Sequence, residues 1–249
     1  MKNKDILKIL GRKEGLFTED LINLENDLNF EINNSKFLII GAAGSIGQSV
    51  SNEIFKRNPK VMHVIDINEN NLVELVRSLR SKYGYIKGDF KSFVLDIGSS
   101  FFEYFVESEG PYDYVLNLSA LKHVRSEKDI FSLMRLIQVN ILNTISSINT
   151  VSVKDTKKYF CVSTDKAANP VNMMGASKKI MEAFLKSLSE KVNISSARFA
   201  NVAFSDGSLL YGFEKRFNLG QPITIPSDIQ RYFVTPQESG ELCMMSSIF

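Results

Sequence analysis

The sequence predicts an α/β protein built around a doubly wound parallel sheet, with a helical extension before it and a smaller irregular region after it. Two observations predict this fold class. Short apolar runs alternate with helical patterns from residue 36 to about residue 200, and six such runs match the strand number of a complete dinucleotide fold. A turn with three glycines follows the first run directly. The predicted regions are therefore 1–35, 36–200 and 201–249.

The amino-terminal region 1–35 is polar and is predicted to be mostly helical. Leu21, Leu24 and Leu28 recur at the spacing of one helix face. We expect this apolar face to pack on the main domain as a helical cap. A contact between subunits is the alternative.

The central region 36–200 alternates strands with helices, so its strands are expected to be parallel and joined by right-handed crossovers. Helices then cover both faces of the sheet. The predicted strands are residues 37–40, 61–65, 93–95, 112–116, 159–162 and 194–199. The predicted helices are residues 46–56, 70–82, 131–151 and 176–190.

After about residue 201, glycine and proline break the chain into short pieces. We expect this region to lie over the carboxyl edge of the sheet, where open α/β sheets bind their ligands. A last helix is predicted after Pro236, and the chain ends inside it.

The composition argues against several classes of protein. The 249 residues carry 30 Lys and Arg against 28 Asp and Glu, a formal net charge of +2, so no nucleic-acid partner is expected. No apolar run approaches the roughly 18–20 residues that span a bilayer, and the first residues lack a signal-peptide pattern. We expect no membrane insertion and a cytoplasmic location. Two cysteines and two histidines, far apart in sequence, predict neither a disulfide framework nor a metal site.

The three-glycine turn predicts a dinucleotide site. Gly41, Gly44 and Gly47 lie between the first predicted strand and the first predicted helix. Glycine lets the backbone turn tightly and approach a pyrophosphate, while the helix N-terminus offers free N–H groups to the anion. A tight turn without a ligand is the alternative.

Asp66 ends the second predicted strand, 25 positions after Gly41. A carboxylate here accepts hydrogen bonds from the adenosine ribose and repels the 2′-phosphate of NADP, so the sequence predicts NAD. A cap for the helix that follows Asn68 is the alternative. Small residues at 117–120 permit close passage of a cofactor, and they also fit simple helix–strand packing.

The segment from Ser163 to Lys178 begins where the fifth predicted strand ends, at the same carboxyl edge. Asp165 and Lys166 are predicted to form a buried acid–base pair beside the Thr164 hydroxyl. Burial and mutual charge tune such groups toward neutral pH. An exposed ion pair on a loop is the alternative.

On these residues the sequence resembles the extended short-chain dehydrogenases that act as nucleotide-sugar 4,6-dehydratases. It is most similar to the bacterial polysaccharide-biosynthesis group that dehydrates UDP-N-acetylglucosamine. The resemblance implies a Rossmann sheet and covers the chain from about residue 36 onward, so region 1–35 falls outside the catalytic core. The segments that carry it are 41–47, 121–124, 163–178, 198–202, 207–208 and 231–235.

The resemblance implies roles for individual residues. Thr164, Asp165, Lys166 and Lys178 are the implied catalytic residues, with Asp165 as the acid and Lys166 as the base. The implied contacts to NAD are Gly41, Ala43, Gly44, Ser45, Ile46, Gly47, Asp66, Asp96, Ile97, Leu118, Ser119, Ala120 and Lys178. The implied contacts to the nucleotide sugar are Lys122, His123, Met174, Asn201, Ser208 and Arg231. For His123 a purely structural role is the alternative.

One position departs from the wider superfamily, which places a Tyr-x-x-x-Lys pair on this helix. Met174 occupies the tyrosine position, four residues before Lys178, so both side chains share one helix face. Methionine cannot act as a base, although one branch of the 4,6-dehydratases carries the same residue. Lys178 is expected to contact the nicotinamide ribose, and Thr164, through water to Lys178, is the candidate base for the C4 hydroxyl.

The resemblance implies an enzyme that converts UDP-N-acetylglucosamine to a UDP-4-keto-6-deoxy-N-acetylhexosamine for surface-glycan or nonulosonic-acid synthesis. The rivals are a nucleotide-sugar 4-epimerase or reductase and, because the tyrosine is absent, a non-catalytic nucleotide-binding protein. A homo-oligomer that associates through helices flanking the sheet is also expected. Relatives continue past Phe249, so the substrate-binding region 201–249 is expected to be incomplete.

Overall fold

The computed structural model describes residues 3–152, 155–225, 227–228 and 230–249. Its centre is a six-stranded parallel sheet with the strand order β3-β2-β1-β4-β5-β6. The predicted α/β fold with a doubly wound sheet is therefore confirmed. These strands are β1 Lys36–Ile40, β2 Val61–Asp66, β3 Asp89–Val94, β4 Tyr114–Asn117, β5 Lys158–Thr164 and β6 Ile194–Phe199. A separate parallel pair joins β7 Asn201–Val202 to β8 Phe233–Val234.

Helices cover both faces of this sheet. The α-helices are α1 Asn3–Ile9, α2 Thr18–Asn34, α3 Ser45–Phe55, α4 Glu69–Tyr83, α5 Phe101–Glu109, α6 Ile130–Ile137, α7 Asn143–Ser152, α8 Met173–Leu188, α9 Leu209–Asn218 and α10 Pro236–Ile248. The helix predicted over 131–151 is present without a break in the chain's helical course. Its middle, Gln138–Leu142, is π-helical and joins α6 to α7. The short helices α5 and α9 were not predicted. None of the described helices is both long and apolar enough to cross a membrane.

The middle of the sheet is apolar on both faces, because a layer of helices covers each face. In β1, Phe37 and Ile39 are fully buried in the same cluster as Ile54 of α3. Leu38 is buried on the opposite face, in the cluster that contains Met181 of α8. An uninterrupted apolar run of this kind is typical of a central parallel strand.

The edge strand β3 begins four residues earlier than predicted. None of its six side chains is fully buried, since the strand has a neighbour on one side only. Its first half therefore tolerates the polar residues Asp89 and Lys91, and the apolar run marks only its end.

The amino-terminal region packs against the main domain through α2. Leu28 and Ile32 of this helix are fully buried in the same cluster as β1. At the amino edge of the sheet, Glu31 accepts hydrogen bonds from Tyr114 Oη at 2.8 Å and from Lys157 Nζ at 3.0 Å. The helix is therefore held by apolar burial and by polar contacts at its end.

Residues 201–249 form two parts with different surroundings. The β7–β8 pair faces the carboxyl edge of the sheet. The last helix, α10, instead packs on α3, and Cys243 and Met244 are fully buried in the main core. The two helices approach closely, because a Cβ added at Gly240 would lie 2.6 Å from the backbone carbonyl carbon of Ser49. The last helix is thus part of the sheet's packing.

Candidate functional site

The glycine turn lies between β1 and α3, and its three glycines differ in how much room the backbone leaves for a side chain. Gly41 has a φ of +72°, and an added Cβ would lie 2.8 Å from the backbone nitrogen of Ser119. A Cβ at Gly47 would lie 2.1 Å from the carbonyl oxygen of Gly41. A Cβ at Gly44, whose φ is −72°, would meet nothing closer than 3.5 Å. The fold itself therefore requires Gly41 and Gly47, whereas Gly44 leaves open space at the N-terminus of α3.

Two cavities meet at this turn, along the carboxyl edge of the sheet. The smaller, of about 270 Å³, lies at the ends of β1, β2 and β3. The larger, of about 430 Å³, lies at the ends of β5 and β6 and beside the β7–β8 pair. Gly44, Leu118, Ala120 and Leu121 line both cavities. A ligand with two halves can therefore pass over the glycine turn from one cavity to the other.

Asp66 lies in the smaller cavity with both carboxylate oxygens held in place. They accept hydrogen bonds from the backbone N–H groups of Ala43 and Asn68, each at 2.9 Å. The cap of α4 is Asn68, whose side chain accepts a hydrogen bond from Asn71 N at 3.0 Å. Asn68 therefore fills the capping role that was the alternative for Asp66, and the Asp66 carboxylate retains free lone pairs.

Asp96 lines the same cavity and forms an ion pair that the sequence did not indicate. Arg135 Nη2, on α6, lies 3.0 Å from Asp96 Oδ2, and Gly98 N donates to Asp96 Oδ1 at 2.8 Å. Partial burial opposes ionisation of Asp96, but these two contacts outweigh it and lower the pKa of Asp96. Arg135 belongs to no sequence motif, so only the fold shows its place. The other predicted NAD contacts that line this cavity are Gly41, Ala43, Gly44, Ile97, Leu118, Ser119 and Ala120.

The larger cavity gathers most of the predicted catalytic and substrate-binding residues from distant parts of the chain. The predicted residues that line it are Ser45, Ile46, Gly47, Lys122, His123, Thr164, Lys166, Met174, Lys178, Asn201, Ser208 and Arg231. Asp165 is not among its lining residues, although Thr164 and Lys166 on either side of it are.

The prediction that Asp165 and Lys166 are buried is wrong. Their side chains are 50% and 36% exposed, and Lys166 Nζ lies 2.9 Å from Asp165 Oδ1. The pair stands on a 3₁₀ turn just after β5, past the buried part of the strand. Partial burial opposes ionisation of Asp165, but hydrogen bonds from Lys166 and Thr164 outweigh it, and the pKa of Asp165 is lowered. These contacts therefore favour the ionised form of the Asp165 carboxyl.

Lys178 is enclosed beneath the larger cavity. Its Nζ donates to the carbonyl oxygen of Val162 at 3.0 Å, and 4% of the residue is exposed. Burial lowers the pKa of Lys178, while Cys161 and Glu182 act in the opposite direction. Met174, one helical turn earlier, is buried as well, so an apolar thioether stands where the wider superfamily has a phenol.

We expect Lys178→Met to stabilise the fold, because the burial that lowers the Lys178 pKa makes its charged form costly. The cost is largest below the folded-state pKa and disappears as pH rises toward about 10.4, the ordinary value for lysine. Each kcal/mol regained raises Tm by about 2–4 °C for a chain of this size. Thermal unfolding at several pH values measures this, with Lys179→Met, at an exposed neighbour, as the control. A lower Tm for Lys178→Met would contradict the prediction.

The predicted substrate residues His123, Asn201 and Ser208 also lie against other residues of the protein. An added Cβ at Gly207, where φ is +70°, would lie 2.4 Å from His123 Cε1, so the imidazole lies directly against the backbone. The Ser208 side chain caps α9, and Asn201 Nδ2 donates to the carbonyl oxygen of Tyr232 at 3.1 Å. These residues shape the wall of the larger cavity as well as facing it.

Two cations, Lys122 and Arg231, line the larger cavity and are exposed at its mouth. The surrounding protein lowers the pKa of Lys122 by desolvation and Asp206 opposes this, but solvent screens both effects at an exposed amine. Positive charge here suits a phosphorylated ligand. Within the part of the chain that the structure describes, no group of three or more His, Cys, Asp or Glu is placed to hold a metal ion.

The doubly wound sheet, the glycine turn and the two adjoining cavities define a Rossmann-like α/β protein of the kind that binds ligands at the carboxyl edge of the sheet. The chain belongs to a family described as polysaccharide biosynthesis protein, whose model matches residues 37–248.

Individual relatives agree with this assignment. The chain is 30% identical over 251 residues to the capsular polysaccharide biosynthesis protein CapD of Staphylococcus aureus, covering 99% of this chain and 40% of that protein. The solved structure of Pen from Bacillus thuringiensis superposes with a TM-score of 0.78 at 25% identity, covering 88% of this chain and 66% of that one. A UDP-glucose 4-epimerase from Thermotoga maritima, solved with UDP-glucose, shares the fold with a TM-score of 0.69 at 18% identity, covering 85% of this chain and 72% of that one.

Proposed function

We propose that this chain carries the site of an NAD-dependent nucleotide-sugar 4,6-dehydratase that acts on UDP-N-acetylglucosamine. The product is a UDP-4-keto-6-deoxy-N-acetylhexosamine for surface-glycan or nonulosonic-acid synthesis. The observation that carries the proposal is the place of Thr164 and Lys166 at the end of β5, in the same cavity as the buried Lys178. Hydride transfer at one carbon needs no second acid–base pair, whereas elimination of water does. Membership of a polysaccharide biosynthesis family supports this product class.

The smaller cavity and the glycine turn fit NAD. The N-terminus of α3 and the open space at Gly44 suit a pyrophosphate, and Asp66 suits the adenosine ribose. Asp96 lines the same cavity, and by the resemblance it would lie near the adenine. When bound, NAD would supply the hydride acceptor for oxidation at C4 of the sugar and the hydride donor for C6. Lys178 is the residue that would hold the nicotinamide ribose.

The chain's own residues account for the proton transfers. Thr164, through water to Lys178, takes the proton of the C4 hydroxyl during oxidation at C4. Lys166 takes the C5 proton, which the neighbouring ketone makes acidic, and Asp165 protonates the C6 hydroxyl, which leaves as water. Lys166 then returns a proton to C5. The proton that left the C4 hydroxyl passes through solvent to Asp165 and replaces the proton that Asp165 gave to the C6 hydroxyl.

A bound sugar changes the state of the exposed pair. A hexose in the larger cavity would strip water from Lys166, which lines the cavity, and so from one side of its ion pair with Asp165, and desolvation favours the neutral forms of both groups. Those neutral forms are the carboxylic acid and the free amine that the elimination needs. The exposure of the pair is therefore compatible with catalysis, because the substrate itself supplies the burial.

A nucleotide-sugar 4-epimerase or reductase is the first rival, because the UDP-glucose 4-epimerase from Thermotoga maritima shares this fold. Such an enzyme transfers hydride at C4 only, so Asp165 would have no hydroxyl at C6 to protonate as a leaving group. A non-catalytic nucleotide-binding protein is the second rival, since Met174 replaces the usual tyrosine.

The test is incubation of the chain with NAD and UDP-N-acetylglucosamine in deuterium oxide, followed by mass spectrometry and NMR of the sugar nucleotide. The proposal expects the sugar nucleotide to lose one water and to gain one deuterium at C5. With an epimerase, the sugar would keep all its oxygen atoms and its configuration at C4 would be inverted. With a non-catalytic protein, the sugar would stay unchanged. Inversion at C4 contradicts the dehydratase, and so does an unchanged sugar from a chain that binds UDP-N-acetylglucosamine by calorimetry. A reaction without NAD is the control.

We expect clear preference for NAD over NADP, because a 2′-phosphate would face the Asp66 carboxylate. Two like charges at 4 Å cost about 1–4 kcal/mol, so NADP should bind about fivefold to several hundredfold more weakly. Arg135 in the same cavity does not cancel this repulsion, since it is paired with Asp96 at 3.0 Å. Calorimetry with both cofactors measures the difference, and Asp66→Ala should reduce it. Equal affinities in the unsubstituted chain would contradict the role given to Asp66.

A further inference from the structure

An ion pair joins the amino-terminal region to the start of α10, next to the segment that lines the larger cavity. Arg12, just after α1, contacts Glu238 in the first turn of α10 with two hydrogen bonds, Nη1 to Oε1 at 2.7 Å and Nη2 to Oε2 at 2.8 Å. The side chains of Arg12 and Glu238 are 22% and 1% exposed. A two-pronged pair on a buried carboxylate is among the stronger polar contacts of a protein.

The Glu238 carboxylate also fixes the backbone on both sides of this contact. Its Oε1 accepts a hydrogen bond from Leu16 N at 3.0 Å, and its Oε2 accepts one from Thr235 N at 2.7 Å. The Thr235 hydroxyl in turn accepts from Glu238 N at 3.1 Å, which completes a capping box. Two donors from Arg12 and two backbone donors thus converge on one buried carboxylate.

The segment that this anchor holds faces the larger cavity. Phe233 of β8 and the nearby Arg231 both line it, and Arg12 Nη2 lies 3.5 Å from the carbonyl oxygen of Phe233. β8 is two residues long and pairs with β7, which is equally short. A pair of two-residue strands contributes little stability by itself. The position of Phe233 and Arg231 therefore depends on the end of β8 that Glu238 and Arg12 fix.

We propose that Arg12 is a positioning residue for nucleotide-sugar binding, acting through Glu238 on the segment that presents Phe233 and Arg231 to the cavity. The inference rests on the proposed function, because it takes the larger cavity as the nucleotide-sugar site. Region 1–35, which falls outside the catalytic core that the resemblance implies, is then part of the substrate-binding machinery.

The test compares Arg12→Ala with the unsubstituted chain by calorimetry with NAD and, in saturating NAD, with UDP-N-acetylglucosamine. We expect the Kd for the nucleotide sugar to rise about tenfold to a hundredfold, as displaced binding groups produce, while the Kd for NAD stays unchanged. A merely structural role would weaken both ligands together. Arg12→Lys keeps the charge but lacks the planar fork, so its Kd should be intermediate. Where Arg12→Ala does not fold, Arg12→Lys carries the same comparison.

Glu31→Ala is the matched control, because it removes the ion pair between the same region and Lys157 at the opposite edge of the sheet. It should lower Tm and leave both Kd values unchanged. Unchanged nucleotide-sugar affinity in Arg12→Ala, or an equal loss for NAD, overturns the positioning role. If the unsubstituted chain binds neither UDP nor UDP-N-acetylglucosamine, the proposed function fails and the inference fails with it.

Discussion

Replacing Lys166 with alanine is expected to lower the turnover of UDP-N-acetylglucosamine by about 10²–10⁴-fold, the usual contribution of a positioned base. Asp165→Asn should lower it over the same range, because an amide cannot give a proton to the departing C6 hydroxyl. Neither residue lines the smaller cavity or belongs to the glycine turn, so NAD affinity should not change. Steady-state turnover together with calorimetry for NAD measures both expectations.

The two variants should also fail at different steps. Lys166→Ala should stop exchange of the C5 proton with deuterated solvent, while hydride transfer from C4 can survive and is followed by nicotinamide absorbance. Lys179→Ala, at an exposed lysine on α8, is the matched control and should behave as the unsubstituted chain does. Dehydrated product released by Lys166→Ala at a near-normal rate would contradict the assignment. The base would then be sought at Lys122 or His123, which line the same cavity.

The central fold was predictable because burial on two faces leaves a strong signal in sequence. The five residues of β1 include four buried apolar ones, the run that a strand covered on both faces requires. The edge strand β3 has no fully buried side chain and needs no such apolar run, so its polar first half was not predicted. The helix α5 escaped prediction for a different reason, since its nine residues are too few for a clear helical period.

The candidate site was predictable where one chain segment carries the chemistry. The glycine turn and the residues from Thr164 to Lys178 are contiguous motifs, and the fold brings them to one edge of the sheet. Exposure is a tertiary property, and the sequence could not show that the Asp165–Lys166 pair stands clear of the core. Arg135 and Arg12 are recognised only through their partners, which lie 39 and 226 positions away along the chain.

Gly47→Ala is expected to destabilise the fold and Gly44→Ala is not, although both glycines belong to one motif. A Cβ at Gly47 would lie 2.1 Å from the Gly41 carbonyl oxygen and 2.7 Å from Ala42 Cα, both backbone atoms. The backbone must shift to admit it, and overpacking of this kind costs about 1–3 kcal/mol or more. Each kcal/mol lowers Tm by about 2–4 °C in a chain of this size. Thermal unfolding without ligand measures the difference between the two variants.

Ligand binding completes the comparison, because Gly44→Ala should fold normally and still lose NAD. Its new methyl group would rest 3.5 Å from the Gly41 carbonyl oxygen, an ordinary contact, and would occupy the space that the proposal gives to the pyrophosphate. A loss of about tenfold in affinity corresponds to about 1.4 kcal/mol and is the smallest effect that we expect. A normal Tm with unchanged NAD affinity would show that the pyrophosphate does not pass over Gly44. Normal stability with weakened binding would show that this glycine is present for the ligand, whereas Gly47 is present for the fold.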